Sequence, residues 1–290
     1  MKKGNNRIDA TYVINMDADT GRLEEFNTMM ENFNWPYIRH RAVNGKDLFD
    51  LSKDNPEEIE LLDRSIKRPT WLSASEIGCS LSHVSLWEKV ATDPSMQRIL
   101  IFEDDARTHA DGTTIERLIN DFYDYLEDND IKEPDMLYLG KSLDHCANYE
   151  KIWGNIYKSR RPLCLHAYIM TKAGANKLLS MAPYRAAIDM IPIKAIEKNI
   201  IEVAVFHPSL FFQDIFGLPV GSSVSDLGTN SNLRSLRAAL NNTTECIVQQ
   251  QHIAGDTWEF VTVVSIGIIA ALLLFVFFAW SSTPITVYHQ

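Results

Sequence analysis

R-I-L-I-F-E-D-D, running from Arg98 to Asp105, joins four consecutive apolar residues directly to three carboxylates, and no other stretch of the chain is so polarised. Ile99, Leu100, Ile101 and Phe102 form the short continuous apolar run expected of a strand buried on both faces, with helices above and below its sheet. The acids then fall at the carboxyl end of that strand, the edge at which open α/β sheets bind their ligands. If extended geometry continues through them, Glu103 and Asp105 project to one face and Asp104 to the other. Three adjacent carboxylates repel one another, and a hard divalent cation, Mg²⁺ or Mn²⁺, is the simplest means of holding two of them together. The alternative is a solvated acidic turn after a strand, and the rest of the chain has to supply the context that decides between them.

Upstream, Ala10 to Asn15 reads as a first strand. It is followed by a turn and by a helix from Arg22 to Phe33 carrying Leu23, Phe26, Met30 and Phe33 at helical spacing. Tyr37 to Ala42 reads as the second strand of a βαβ unit, and the charge-dense Asp47 to Pro69 as a surface excursion. Ser73 and Glu76 are spaced as a capping box ahead of Ile77, Leu81, Val84 and Trp87, which predicts a helix from about Ala74 to Val90. Gly78 inside that helix costs about 1 kcal/mol against alanine, which implies close approach of a ligand or another backbone. Ser82 and His83 lie off its apolar stripe. Downstream come a helix through Ile115 to Leu126, strands at Asp135 to Gly140 and Leu163 to Thr171, a helix after Thr171, a proline-flanked Ile188-Asp189, and a late strand within Ile200 to His207.

Composition narrows the function. The chain has 290 residues, is 46% hydrophobic and 23% charged, and carries a net charge of −10. That charge argues against a nucleic-acid partner, which requires many Lys and Arg to neutralise phosphates, and it makes a metal necessary if phosphorylated ligands are handled. Cys79, Cys146, Cys164 and Cys246 are widely spaced with no C-x-x-C pair, fitting neither a zinc site nor a disulfide framework, so reduced thiols are expected.

The first ten residues contain no apolar segment of the signal-peptide type, so the catalytic part is expected in the cytosol. Phe260 to Trp280 is 21 residues without a charge, enough to cross about 30 Å of hydrocarbon. Trp258 and Trp280 bracket it, and the tail that follows has no Lys or Arg. The predicted organisation is a catalytic domain over residues 1–216, a stalk over 217–257, a membrane-spanning tail anchor over 258–281 and a short tail over 282–290.

Four blocks, in order, resemble glycosyltransferase family 25, the lipopolysaccharide-biosynthesis and collagen galactosyltransferase group. They are Tyr12-Val13-Ile14-Asn15 with Asp17 and Arg22; Ser75 to His83, S-E-I-G-C-S-L-S-H; Ile101 to Asp105; and Ala167 to Thr171 continuing through Gly174-Ala175 to Leu178-Leu179. Where the family carries Gly before E-I-G-C this chain has Ser75, and where it carries Pro-x-Asp or Pro-Val-Asp it has Ala187-Ile188-Asp189. The resemblance implies an α/β fold of GT-A-like, Rossmann type, a mixed sheet flanked by helices. It also implies a UDP-sugar donor, a glycan or glycoconjugate acceptor, Mn²⁺ or Mg²⁺ held by Glu103 and Asp105, and inversion at the anomeric carbon. Donor-binding positions implied by the blocks are Asn15, Asp17, Arg22, Glu76, Ser82, His83 and Glu103. An inverting transfer requires a carboxylate to take the acceptor hydroxyl's proton. Asp189 is the expected base, with Asp104 as a second catalytic carboxylate and Asp214 and Asp226 behind them.

Two other readings compete: a nucleotidyltransferase, which would show a basic Gly-rich signature near the first strand that this chain lacks, and a tail-anchored binding protein that has lost catalysis. The tail-anchor expectation is checked by truncation: a chain ending near Thr257 is expected to be soluble and folded. Insolubility of that chain, with the full chain folded, would place Phe260 to Trp280 in the core.

Overall fold

The run Arg98–Glu103 forms the third strand in chain order, β3, within an eight-stranded sheet, and its residues 99 to 102 are fully buried. On one side it pairs in parallel with β1 (Ala10–Asn15), itself parallel to β2 (Ile38–Arg41). On the other it pairs antiparallel with β8 (Leu163–Thr171). Beyond β8 lie β5 (Met136–Ser142), β9 (Val203–Phe206), β7 (Ile156–Lys158) and β6 (Glu150–Trp153), giving the order β2-β1-β3-β8-β5-β9-β7-β6. Because β3 and β5 are both antiparallel to β8, they run the same way, and the glycine-bearing end of β5 lies at the same sheet edge as the acids. A two-stranded sheet pairs β4 (Ala106–Arg107) with β10 (Phe212–Gln213) just past that edge. This computed structural model describes residues 7–214, apart from 51, 53, 54 and 69, together with 245 and 246.

Side chains alternate between the two faces of a strand, and each face of β3 has its own core. Ile99 and Ile101 pack with Tyr12, Tyr138 and Tyr168 beneath Leu81, Val84 and Trp87 of α3 (Ala74–Thr92). Leu100 and Phe102 pack with Val13 and Leu137 beneath Phe26 and Met30 of α1 (Thr20–Phe33) and Ile115, Ile119 and Phe122 of α4 (Gly112–Asp128). Burial from both sides is the reason the run carries no polar residue. The remaining helices are α2 (Pro56–Ser65), α5 (Lys172–Leu179) and α6 (Met190–Glu197).

The expected elements appear, joined by α6 and by the short strands β4, β6, β7 and β10, which the sequence pattern did not predict, and four expectations change. The stretch Asp47 to Pro69 is not merely a surface excursion: it contains α2, which opens on Pro56, carries Glu57 and Glu58 in its first turn and buries Leu61 and Leu62. Ser82 and His83, although off the apolar stripe, are both fully buried, because α3 contacts α2 and α5 as well as the sheet. Extended geometry stops at Glu103, so Asp104 and Asp105 occupy a turn rather than opposite faces of a strand. The cysteines are not all reduced thiols: Cys146 and Cys246 form a disulfide with Cα atoms 5.6 Å apart, whereas Cys79 and Cys164 are free. The 100-residue separation gives that pair no signature in spacing.

Glu245, beside the disulfide, accepts from Lys141 Nζ at 2.6 Å, His207 Nδ1 at 2.8 Å and Ser209 N at 3.0 Å. The predicted membrane helix, the tail after it, Asp226 and most of the predicted stalk lie outside the described residues, among which no helix is long and apolar enough to cross a membrane.

The capping box forms as predicted: Ser73 Oγ accepts from Glu76 N at 3.2 Å, and Glu76 Oε2 accepts from Ser73 N at 2.8 Å. Gly78 is explained by a second backbone, since a Cβ there would come within 2.4 Å of Val43 O and 2.6 Å of Gly45 N. That contact presses the 43–46 loop onto α3 at the sheet edge. Gly78→Ala gains about 1 kcal/mol in helix propensity but overpacks a backbone contact, at a cost of about 1–3 kcal/mol. Net destabilisation, read as a lower urea midpoint with unchanged slope, is the expected outcome; an equal or higher midpoint would show that the loop yields.

Candidate active site

At the carboxyl ends of β1 and β3 lies a cleft of about 440 Å³ whose lining includes Asn15, Arg22, Lys46, Ser82, His83 and Glu103 to Asp105. Sheet register assembles it: Ile14 lies opposite Glu103, so Asn15, one residue further, stands beside the acidic turn. Asn15 Nδ2 donates to Asp104 Oδ2 at 2.8 Å and to Asp19 O at 2.9 Å, while its Oδ1 accepts from Arg39 Nε at 2.9 Å. Arg22, in the first turn of α1, places Nη1 3.4 Å from Asp104 Oδ1 and 3.9 Å from Asp105 Oδ2. Below the turn, buried Arg107 donates from Nη1 to Asp104 O at 2.6 Å and from Nη2 to Glu25 at 2.7 Å, fixing the backbone that carries the acids.

The three carboxylates meet three different environments. Burial, the largest single influence, raises the Glu103 carboxyl, but His83 Nε2, 3.0 Å from Oε1, together with the nearby His166 and Arg22 outweighs it and holds Glu103 below the ordinary carboxylate range. Burial also raises Asp104, partly offset by Asn15 and Arg22. Asp105 is the extreme case. Burial, then the adjacent Glu103 charge, push it up to about 7. Its Oδ2 accepts from Gln213 Nε2 at 3.0 Å, and its Oδ1 is buried with no hydrogen-bond partner among the described residues. An unpaired buried carboxylate oxygen is costly, and one beside a second carboxylate suits a hard divalent cation with oxygen ligands. Cys79, His83 and Glu103 also bring ligand atoms within 4.8 Å of one another. Burial and the Glu103 charge, however, push the Cys79 thiol up, and both ring nitrogens of His83 are already engaged.

Asp189 immediately precedes α6 and is not part of the cleft lining, yet burial and the nearby Glu103 charge raise it to about 6. Asp214 reaches the acidic turn through its backbone, donating N–H to Asp105 O at 2.9 Å. Two predicted positions are engaged elsewhere. Asp17 pairs with Arg39 at 2.6 Å and Arg41 at 2.8 Å, and Glu76 caps α3. Ser82 serves the wall of the cleft: its Oγ donates to Gly78 O at 2.7 Å and accepts from Val43 N at 2.8 Å, tying the 43–46 loop to α3. Sequence reasoning missed Lys46, Arg107 and Gln213; only Arg107, two residues after the acids, lay close enough to have been suspected.

Comparison with known proteins gives consistent matches. A model of the family described as glycosyltransferase family 25 (LPS biosynthesis protein) matches residues 8–192. A putative glycosyltransferase of Haemophilus influenzae is 28% identical over 229 residues, 76% of this chain and 72% of that protein. The human inactive glycosyltransferase 25 family member 3 is 31% identical over 125 residues, 42% of this chain and 20% of the relative. Human procollagen galactosyltransferase 2 is 28% identical over 151 residues, 49% of this chain and 23% of the relative. The chain thus spans about a fifth of the length of these human relatives.

The raised Asp105 value gives a pH test. A carboxyl whose value is higher in the folded chain than in the unfolded one stabilises the fold below the unfolded value and loses that contribution as pH rises through the folded value. With chelator present, stability is expected to decline from about pH 4, the ordinary Asp value, through about pH 7. Asp105→Asn, which cannot ionise, is expected to unfold later than wild type at about pH 8, by up to about 4 kcal/mol, with the gain shrinking toward pH 4. A gain or loss independent of pH in urea unfolding would overturn the assignment.

Proposed function

Because the chain belongs to glycosyltransferase family 25, we propose that it is a divalent-cation-dependent, inverting glycosyltransferase on a GT-A-type fold, moving a sugar from a UDP-sugar to a hydroxyl of a glycan or glycoconjugate. Galactose is the sugar suggested by the procollagen galactosyltransferase relative. The observation that carries this reading is the buried Asp105 Oδ1 beside Glu103 at the sheet edge, which has no hydrogen-bond partner among the described residues. Glu103 and Asp105 would hold Mn²⁺ or Mg²⁺, which when bound supplies positive charge against the diphosphate leaving group.

Around that point the chain's own residues divide the work. Arg22 and Lys46 line the cleft and offer cationic groups to the donor's phosphates in a protein of net charge −10. Asn15 and Arg22 hold Asp104 in place, and Asn15 ties it to the start of α1. Asp189, raised to about 6, is ionised at neutral pH yet a stronger base than an ordinary carboxylate, which suits it to take the acceptor's proton. In this reading Asp17 acts on the donor through the arginines it pairs with, and Glu76 through the placement of α3. A C-terminal membrane anchor would bring the domain to a membrane-bound acceptor.

The reading is tested by nucleotide binding. UDP is expected to bind the full chain far more tightly with Mn²⁺ than with chelator, and Asp105→Asn to abolish most of that difference. Asp189→Asn is expected to leave UDP binding intact and to lower transfer by on the order of 10²- to 10⁴-fold, and wild-type transfer is expected to fall as pH drops below about 6. Equal UDP binding with and without chelator would sink the metal assignment and favour a catalytically lapsed binding protein, the condition named for the human family member 3 relative.

A further inference from the structure

Trp87, Tyr168, His83 and Glu103 form a continuous hydrogen-bonded line from the core to the cleft. Trp87 Nε1 lies 2.9 Å from Tyr168 Oη, Tyr168 Oη 2.9 Å from His83 Nδ1, and His83 Nε2 3.0 Å from Glu103 Oε1. The fold dictates this meeting. His83 and Trp87 are four residues apart on α3 and so share one helix face. Tyr168 lies directly across the β3–β8 ladder from Ile101, and Glu103, two residues beyond Ile101, projects to the same face of the sheet. That is the face α3 covers, and the first three residues are completely buried there.

The direction of each proton in this line is determined by what each group can do. An indole N–H only donates, so Tyr168 Oη accepts from Trp87. The hydroxyl still has a proton to place, and among the described residues His83 Nδ1 is the acceptor within reach. A carboxylate only accepts, so Glu103 requires N–H from Nε2. The arrangement that satisfies every buried group puts the ring's proton on Nε2 and leaves Nδ1 bare. With the proton on Nδ1 instead, the Tyr168 hydroxyl proton and Glu103 Oε1 would both lose their partners, an expensive pair of omissions in a buried network.

We propose that Tyr168 is a positioning residue of the active site: its hydroxyl, donating to Nδ1, fixes the His83 tautomer, and that tautomer holds Glu103 Oε1 so that Oε2 is the oxygen available to a cation. The part concerning the cation rests on the metal-dependent reading above; the tautomer does not. Partners of this kind, which set the tautomer and orientation of groups around a metal, change affinity by about 10- to 100-fold when removed.

The experiment is ¹⁵N NMR of the full chain carrying labelled histidine, with the His83 resonances assigned by their loss in His83→Gln. Expected in wild type is one protonated nitrogen at Nε2 and one bare nitrogen at Nδ1. Tyr168→Phe removes the donor and is expected to convert His83 to the other tautomer or to a mixture, and to weaken Mn²⁺ binding 10- to 100-fold. Trp87→Phe disturbs packing in the same core but leaves the Tyr168 hydroxyl donating to Nδ1, so the wild-type tautomer is expected to persist. The proposal is overturned if His83 in wild type is bare at Nε2 or protonated at both nitrogens. It is equally overturned if Tyr168→Phe leaves the tautomer unchanged, or if Trp87→Phe shifts it as much as Tyr168→Phe does. Should wild type bind no Mn²⁺ while the tautomer behaves as stated, the metal reading fails and the positioning of His83 by Tyr168 stands.

Discussion

Three consecutive carboxylates at the end of a strand buried on both faces are an electrostatic liability, and much of the architecture around them answers it. Desolvation and mutual repulsion both favour protonation, so each acid must find its own compensation or remain strained. Asp104 turns toward Asn15 and Arg22, and Glu103 takes the His83 ring. Among the described residues, Asp105 is left with a hydrogen bond from Gln213 on one oxygen and none on the other. Neighbours therefore drive Glu103 down and Asp105 up, a separation of the kind that assigns different roles to adjacent groups of one type. The requirement reaches far into the chain, since the compensating groups come from β1, α1, α3 and β10.

Elements governed by local patterning could be read directly from the sequence. The apolar run before the acids, the capping box at Ser73 and Glu76, and the helical spacing of Phe26 and Met30 each encode an element within a few residues, and each appears in the fold. Recognition of the site at the sheet edge followed from the polarity switch at Glu103. What sequence did not reveal were contacts set by the register of distant segments. Tyr168 meets His83 across 85 residues, and Gln213 meets Asp105 across 108. No periodicity within one helix marks His83 as buried, because its burial comes from the several elements packed around α3. The same limit hid α2, whose apolar core contacts, Ile59, Leu61 and Leu62, sit among five charged residues in a ten-residue helix.

The placement of Gly78 and Ser82 shows how one helix serves both stability and the site. Both are small residues on a turn of α3 that meets the 43–46 loop, one by allowing backbone to approach and the other by bonding it. The wall of the cleft opposite the acids is thereby fixed to the element that also carries His83. A polar, partly glycine-containing stretch in a core helix is thus the join between two sides of a pocket.

The Cys146–Cys246 bond turns a linear chain into a covalent ring with a tail on each side. Asp189, Gln213, Asp214 and Tyr168 belong to the ring, whereas Asn15, His83 and Glu103 to Asp105 belong to the amino-terminal tail. A single proteolytic cut anywhere between residues 146 and 246 therefore opens the ring without releasing a fragment until a reductant is added. In the unfolded chain the same closure restricts the distance between residues 146 and 246, an entropic restraint on the order of 4 to 5 kcal/mol for a loop of this length. The two halves of the active site, one in the ring and one in the amino-terminal tail, are held in one molecule even when the peptide backbone between residues 146 and 246 is broken.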